Sequence, residues 1–363
     1  MSEVRGQILS IQVLRAIAAT LVVVGHILSR LGHIYGNNSF MLFFDSIYSC
    51  GVDLFFVISG FIMITISKDK QYSNKEALSF IKKRFIRIYP IYWIATAGLV
   101  LLLLVQFQLS QDSSVLERIG NWQFLLKSFL LIPVVDPVGN YFPVLQVGWT
   151  LIFEMFFYIL FFVSLFFTKS YFSRLVFLSV IIFSLVLLQI SLQEYSSVLL
   201  RYYGSTIVGE FLLGCLIAFI VNKNGTCTIR TGIVITSIGA LFLVLSGFLP
   251  EEYHSSHLGE VRFIKWGIPA AILLYGALSL EALTPKSSWL VLLGDSSYSL
   301  YLFHTAIILP VIAEVFNLMN LYETLGLGVT AVVFFIICIL GSLLIHKLLE
   351  LPLTRALYRV LLK

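Results

Sequence analysis

Apolar residues along this chain run continuously for long stretches, and polar clusters break the runs. Leu99 to Val105 and Val329 to Ile345 contain almost nothing else. Transmembrane β-strands would alternate apolar and polar positions over about 10 residues, so the pattern predicts helices. Ten runs are long enough for membrane spans of roughly 20 residues. They lie near Ile11 to Leu31, Ser46 to Ser67, Ile86 to Val105, Val147 to Thr168, Arg174 to Gln193, Gly204 to Val221, Gly232 to Leu249, Phe263 to Leu283, Tyr298 to Phe316 and Thr324 to Leu349. The longest polar interval, from about Gln106 to Gln146, carries Pro133, Pro137 and Pro143 and is read as an outer loop that covers an outward-facing site.

Composition agrees with the pattern. Of 363 residues, 59% are hydrophobic and 12% charged, about half the charged fraction of a soluble domain. Disorder and an ordinary soluble enzyme are excluded, and an all-α polytopic membrane protein is expected, a single integral domain over residues 1–363 with no appended soluble domain. The net charge of +5 does not call for nucleic acid, because positive charge also marks cytoplasmic loops. An N-in, C-in arrangement places Arg5, Arg15, Lys68, Lys70, Lys75, Lys82, Lys83, Arg84, Arg87, Lys169, Arg174, Lys223, Arg230, Lys286, Lys347, Arg355, Arg359 and Lys363 inside. Only Arg30, Arg118, Lys127, Arg201, Arg262 and Lys265 fall outside. Arg15 within the first apolar run, and the lack of a small-residue cleavage site, argue that the first helix is retained rather than removed as a signal peptide. Cys50, Cys215, Cys227 and Cys338 have no metal-type spacing and read as packing residues.

Ionisable groups inside these runs are the candidates for function. Arg15 and His26 are eleven residues apart, which on a helix puts them on one face, roughly 16 Å apart along the axis. The bland alternative is a snorkelling arginine and a packed histidine. Asp53, early in the second span, is expected in the same half of the bilayer as His26. There it can fix the imidazole tautomer, or simply cap its own helix. Gly51 and Gly60 permit close helix contact, and Ser59 can donate to a ligand or to its own backbone. Arg84 and Arg87 share a helix face and suit phosphate, although basic residues followed by Tyr89, Tyr92 and Trp93 also serve as membrane anchors. Glu154 needs a polar cavity, partner or substrate, since burying it unpaired costs several kcal/mol. Glu210 is a second such carboxylate. His304 is left open between capping, pairing and joining the site.

Other chemistries are disfavoured. There is no Walker-type loop for ATP, no histidine or cysteine spacing for a required metal, and no nucleophile elbow around Ser59. No resident cofactor is expected.

Taken together, Leu14-Arg15-Ala16-Ile17-Ala18-Ala19 with His26, GVDLFFVISGF at Gly51 to Phe61, RFIRIYPIYW at Arg84 to Trp93 and SYSLYLFH at Ser297 to His304 resemble the acyltransferase-3 family of integral membrane acyltransferases. GWTLIFEMFFY at Gly148 to Tyr158 looks most like the ExoZ-type branch that decorates exopolysaccharides. The resemblance implies transfer of an acyl group, most often acetyl, from cytoplasmic acetyl-CoA (acyl-CoA) to a glycan hydroxyl, on a polysaccharide or its lipid-linked precursor, in the bacterial inner membrane. It implies catalysis by His26 and an acyl-CoA site at Arg15, Arg84 and Arg87; the reading of the residues adds Asp53 to the catalytic group, Ser59 to the acyl-CoA site, and supporting or acceptor roles for Trp149, Glu154, Tyr298 and His304. Partners are then acyl-CoA, the glycan and the lipid bilayer, with no nucleic acid; no oligomeric state is read from the sequence. A proton-coupled transporter using His26, Asp53 and Glu154 as a relay is the rival reading.

Overall fold

The computed structural model describes residues 8–67, 73–110, 115, 119–192, 195–249, 258–259, 261–284 and 288–362. Arg5, Lys68, Lys70, Arg118, Lys286 and Lys363 lie outside these residues. Among the described residues the regular structure is all helical. Nine helices among the described residues are long and apolar enough to cross a membrane, and a shorter apolar helix, Phe263–Ser279, lies at the tenth expected position.

The chain forms two compact units. The first comprises residues 1–72, 163–192 and 203–297. Its main helices are α1 (Leu9–Tyr35), α2 (Ser39–Ile47), α3 (Cys50–Ser67) and, further along, α7 (Tyr171–Leu192), α9 (Val208–Asn224), α10 (Ile229–Leu245), α11 (Ile268–Ser279) and α12 (Ser288–Asp295). The second comprises residues 73–162, 193–202 and 298–363. It holds α4 (Asn74–Ser110), α5 (Trp122–Phe129), α14 (Leu309–Leu318), α15 (Leu321–Ile345), α16 (Leu351–Leu361) and most of α6 (Trp149–Phe167), α8 (Val198–Tyr203) and α13 (Ser297–Phe303).

In the first unit α3 and α9 cross at their glycines. A Cβ at Gly60 would strike the Phe211 backbone, and one at Gly214 would strike the Val57 carbonyl, so only glycine lets the two main chains approach this closely. Gly51 does the same against Ala18 of α1, as expected from the sequence. The start of α1 is capped from afar, the Glu281 carboxylate accepting from the Leu9 and Ser10 amides at 2.7 and 2.8 Å. An acid here satisfies orphan donors and suits the positive end of the helix. Large apolar side chains such as Val180, Phe183 and Leu187 on α7 are exposed, which water would penalise and lipid would not.

In the second unit α4 begins about three turns before the expected Ile86, so Arg84 and Arg87 lie within a long helix and not at its end. Pro90 sits inside it. The aromatic residues that follow serve the end of α5: the Tyr89 and Tyr92 hydroxyls donate to the Leu130 and Ser128 carbonyls at 2.9 and 2.7 Å, and Trp93 Nε1 to the Phe129 carbonyl at 2.9 Å. The terminal carbonyls of a helix have no partner of their own, and three side chains supply it.

Two charges assigned to outer loops are interior. Arg262 and Lys265 are buried, as is Arg174, whose guanidinium donates to the Ser67 carbonyl at 2.9 Å. Cys50, Cys215 and Cys338 are buried thiols, in keeping with packing.

Candidate functional site

His26 lies on the unbroken helix α1, so the eleven-residue spacing from Arg15 keeps both on one face. Its Nδ1 is 2.9 Å from the Val22 carbonyl. A carbonyl oxygen only accepts, so Nδ1 carries the proton and the neutral ring keeps its lone pair at Nε2, the arrangement a general base requires. The ring meets Tyr48 edge-on, centroids 5.1 Å apart. A side chain at Gly25 would overlap the Tyr48 ring, so the glycine beside His26 makes this contact fit. Arg15, half-buried, donates from Nη2 to the Ser297 hydroxyl at 3.0 Å.

Asp53 does not take the orienting role foreseen for it. Its oxygens accept from Arg262 Nε at 3.0 Å and Nη2 at 2.7 Å. Among the described residues its other side-chain neighbour in this cluster is Glu210, another fully buried carboxyl group. Val22 holds the imidazole, and Asp53 holds a guanidinium. The physical reason is burial: a carboxylate with no solvent exposure needs an opposite charge, and Arg262 satisfies that more completely than a neutral imidazole. Arg262 also donates to the Ser49 carbonyl at 3.1 Å and lies over the Trp266 ring, 4.7 Å from its centre. Lys265 stacks on the same ring and reaches the Ser46 carbonyl at 3.5 Å. Ser59 is buried in α3, next to the Gly60 crossing.

The second unit gathers the other candidates. Arg87 Nη1 pairs with Glu350 Oε1 at 2.7 Å, and the guanidinium lies over the Tyr298 ring. Glu350 Oε2 accepts from the Ser299 hydroxyl at 2.6 Å and contacts His346 Nδ1 at 2.8 Å. Arg84 is sandwiched between the Phe80 and Tyr158 rings, 5.4 Å from each. Tyr158 donates to the half-buried Glu154, which places that acid beside the arginines. The Tyr298 hydroxyl donates to the Ile88 carbonyl at 2.7 Å, between the two arginines of the motif and its proline. One cluster therefore contains Arg84, Arg87, Glu154 and Tyr298, four of the residues singled out in sequence.

Trp149 and His304 belong to the same unit but are packed. Trp149 meets Phe153 edge-on at the start of α6. His304 repeats the His26 bond, Nδ1 to the Leu300 carbonyl at 2.8 Å, but its exposure is 0% where His26 is half-buried. Of the two histidines, His26 is the one that keeps part of its surface accessible. A cavity of about 560 Å³ in the first unit is lined by Ser10, Leu14, Ile17 and Leu21 of α1 together with apolar residues of α10 and α11. Those α1 positions share a stripe roughly 140° around the helix from Arg15 and His26, so the cavity is not part of the His26 face.

Sequence reasoning passed over Tyr48, Tyr158, His346 and Glu350, and treated Arg262 as a loop charge. His346 and Glu350 are four apart at the end of an apolar run and would have been found by the rule that drew attention to Glu154. No local pattern connects Asp53 with Arg262, 209 residues away.

Comparison with known proteins bears on this geometry. Residues 8–347 match the model of a family described as an acyltransferase domain, acyltransferase-3. The exopolysaccharide production protein ExoZ of Rhizobium meliloti (strain 1021) is 33% identical over 317 residues, covering 85% of this chain and 90% of that protein. No solved structure matches.

Proposed function

The chain belongs to the acyltransferase-3 family of membrane acyltransferases, and we propose that it moves an acyl group, acetyl before others, from cytoplasmic acyl-CoA to a hydroxyl of an exported polysaccharide or of its lipid-linked precursor. The similarity to an exopolysaccharide production protein supports the acceptor class. The observation that carries the chemistry is the Nδ1 bond of His26 to Val22, which leaves Nε2 with its lone pair on a half-buried ring.

In this reading Nε2 takes the proton of the sugar hydroxyl as the oxygen attacks the thioester carbonyl. The carbon–sulfur bond then breaks, and the proton passes to the departing CoA thiolate. Attack by Nε2 itself, through an acyl-histidine, reaches the same products in two steps. Arg87 and Arg84 take the CoA phosphates. Guanidinium groups give anions charge-assisted bonds, and Arg87 spends one nitrogen on Glu350 while its side chain stays 31% exposed. Arg15 and Ser59 are assigned to the donor as well, and Trp149, Tyr298 and Glu154 to support of the site. The enzyme sits in the bacterial inner membrane with both termini in the cytoplasm. A proton-coupled transporter built on His26, Asp53 and Glu154 is less well supported, because Asp53 is locked to Arg262.

The test is turnover by the purified protein in nanodiscs with radiolabelled acetyl-CoA and a glycan acceptor, following CoA release and label in the glycan. His26→Ala is expected to lose activity by about 10²-fold or more while remaining folded. Equal turnover by that variant would remove the histidine from the mechanism.

A further inference from the structure

Tyr48 meets the His26 ring from the junction of two helices. It occupies, with Ser49, the two-residue corner between α2 and α3, which stays helical, the Tyr48 amide donating to the Phe44 carbonyl at 2.9 Å and its carbonyl accepting from the Gly51 amide at 3.2 Å. The bond to Val22 fixes the His26 tautomer, and the terminal sp³–sp² torsion of a histidine is intrinsically broad. A wall against the ring narrows it.

The corner is pinned on both sides of Tyr48 by buried cations. Arg262 Nη2 holds the Ser49 carbonyl at 3.1 Å, and Lys265 Nζ holds the Ser46 carbonyl at 3.5 Å. Arg262 is itself aimed by two bonds to Asp53 and by the Trp266 ring beneath it. Trp266 in turn is fixed by its indole nitrogen donating to the Ser246 hydroxyl at 3.0 Å. All of these residues lie in the first unit, and each link from Ser246 to His26 is a direct contact.

We propose that Arg262, aimed by Asp53, is a positioning residue for acyl transfer: it sets the α2–α3 corner so that Tyr48 holds the His26 ring in one orientation. This rests on His26 acting as proposed above. Asp53, foreseen as a direct partner of the histidine, then acts on it at two removes.

A double-variant cycle in the full-length protein tests the link, with acetyl-CoA turnover measured for Arg262→Gln, Tyr48→Leu and both together. Displacing a catalytic group by about 1 Å costs on the order of 10²-fold. Each single variant is therefore expected to lower kcat by roughly 10- to 100-fold with KM for acetyl-CoA unchanged. Tyr48→Phe, which keeps the ring, is expected to restore most of the rate lost with leucine. The double variant is expected to be no slower than the slower single one. Losses that multiply in the double variant, or a change confined to KM, would overturn the proposal. If Arg262→Gln does not yield folded protein, Arg262→Lys, which keeps the charge and loses the fork, enters the same cycle with the same two outcomes. His26→Ala is run alongside: full activity there refutes the base, whereas an inactive His26→Ala with multiplying losses refutes only the role of Arg262.

Discussion

Two arginine–carboxylate pairs, one in each unit, use the same chemistry for different ends. Arg262 and Asp53 are sealed, their side chains 2% and 0% exposed. Two guanidinium nitrogens are spent on the carboxylate and one of these also on a main-chain carbonyl. Arg87 and Glu350 are lopsided: the carboxylate is 2% exposed and the arginine 31%. Glu350 is saturated by Arg87, Ser299 and His346, while Arg87 gives it a single nitrogen. A sealed pair has no exposed surface at which to offer a donor and acts by holding the chain. A half-open one keeps donors for an anion while its buried partner fixes where they point.

The sharpest way to break this contrast is to remove the sealed cation. Arg262→Met leaves Asp53 and Glu210 buried together with no guanidinium between them, and is expected to cost about 3–5 kcal/mol, seen as a large fall in the thermal unfolding temperature in detergent. A fall no greater than that of a surface arginine would show the pair is not sealed. A smaller effect is expected at the open pair. Glu350→Gln keeps the shape and removes a negative charge next to Arg87, worth about 1 kcal/mol for an anion about 4 Å away at the dielectric of water. Acetyl-CoA should then bind about fivefold more tightly at low salt, with the gain shrinking as ionic strength rises. Weaker binding would mean that Glu350 matters for aim more than for charge. The smallest effect is expected at Phe80→Leu, which strips one of the two rings from Arg84. Such a contact is worth about 0.5–1 kcal/mol, so the KM for acetyl-CoA should rise about two- to fivefold. An unchanged KM would limit Arg84 to packing.

The spans were legible because lipid-facing helices must be apolar over their whole length, and α1, α3, α6 and α7 begin and end within a few residues of the runs that predicted them, α3 continuing the α2 helix that precedes it. The start of α4 was not, since residues 74–85 are polar and helical at once and hydropathy marks only what lipid touches. At the site, Arg84, Arg87, Glu154 and Tyr298 were found one by one as groups the bilayer would reject, and the second unit brings them together. The partner of Asp53 was hidden for a different reason. Local rules see spacings of three, four or eleven residues, whereas Arg262 reaches Asp53 only after the chain has folded back over 209 positions. Counting Arg262 as a loop charge followed from the positive-inside rule, which has no way to recognise a cation buried beside an acid.

The division of labour between the two pairs is most directly tested by titrating acetyl-CoA into the purified protein and comparing Arg87→Lys with Arg262→Lys. Each variant keeps its charge and loses the planar fork. The expected result is a Kd raised roughly tenfold by Arg87→Lys and left unchanged by Arg262→Lys. An unchanged Kd for Arg87→Lys, with weakened binding for Arg262→Lys, would place the donor at the sealed pair and contradict the assignment.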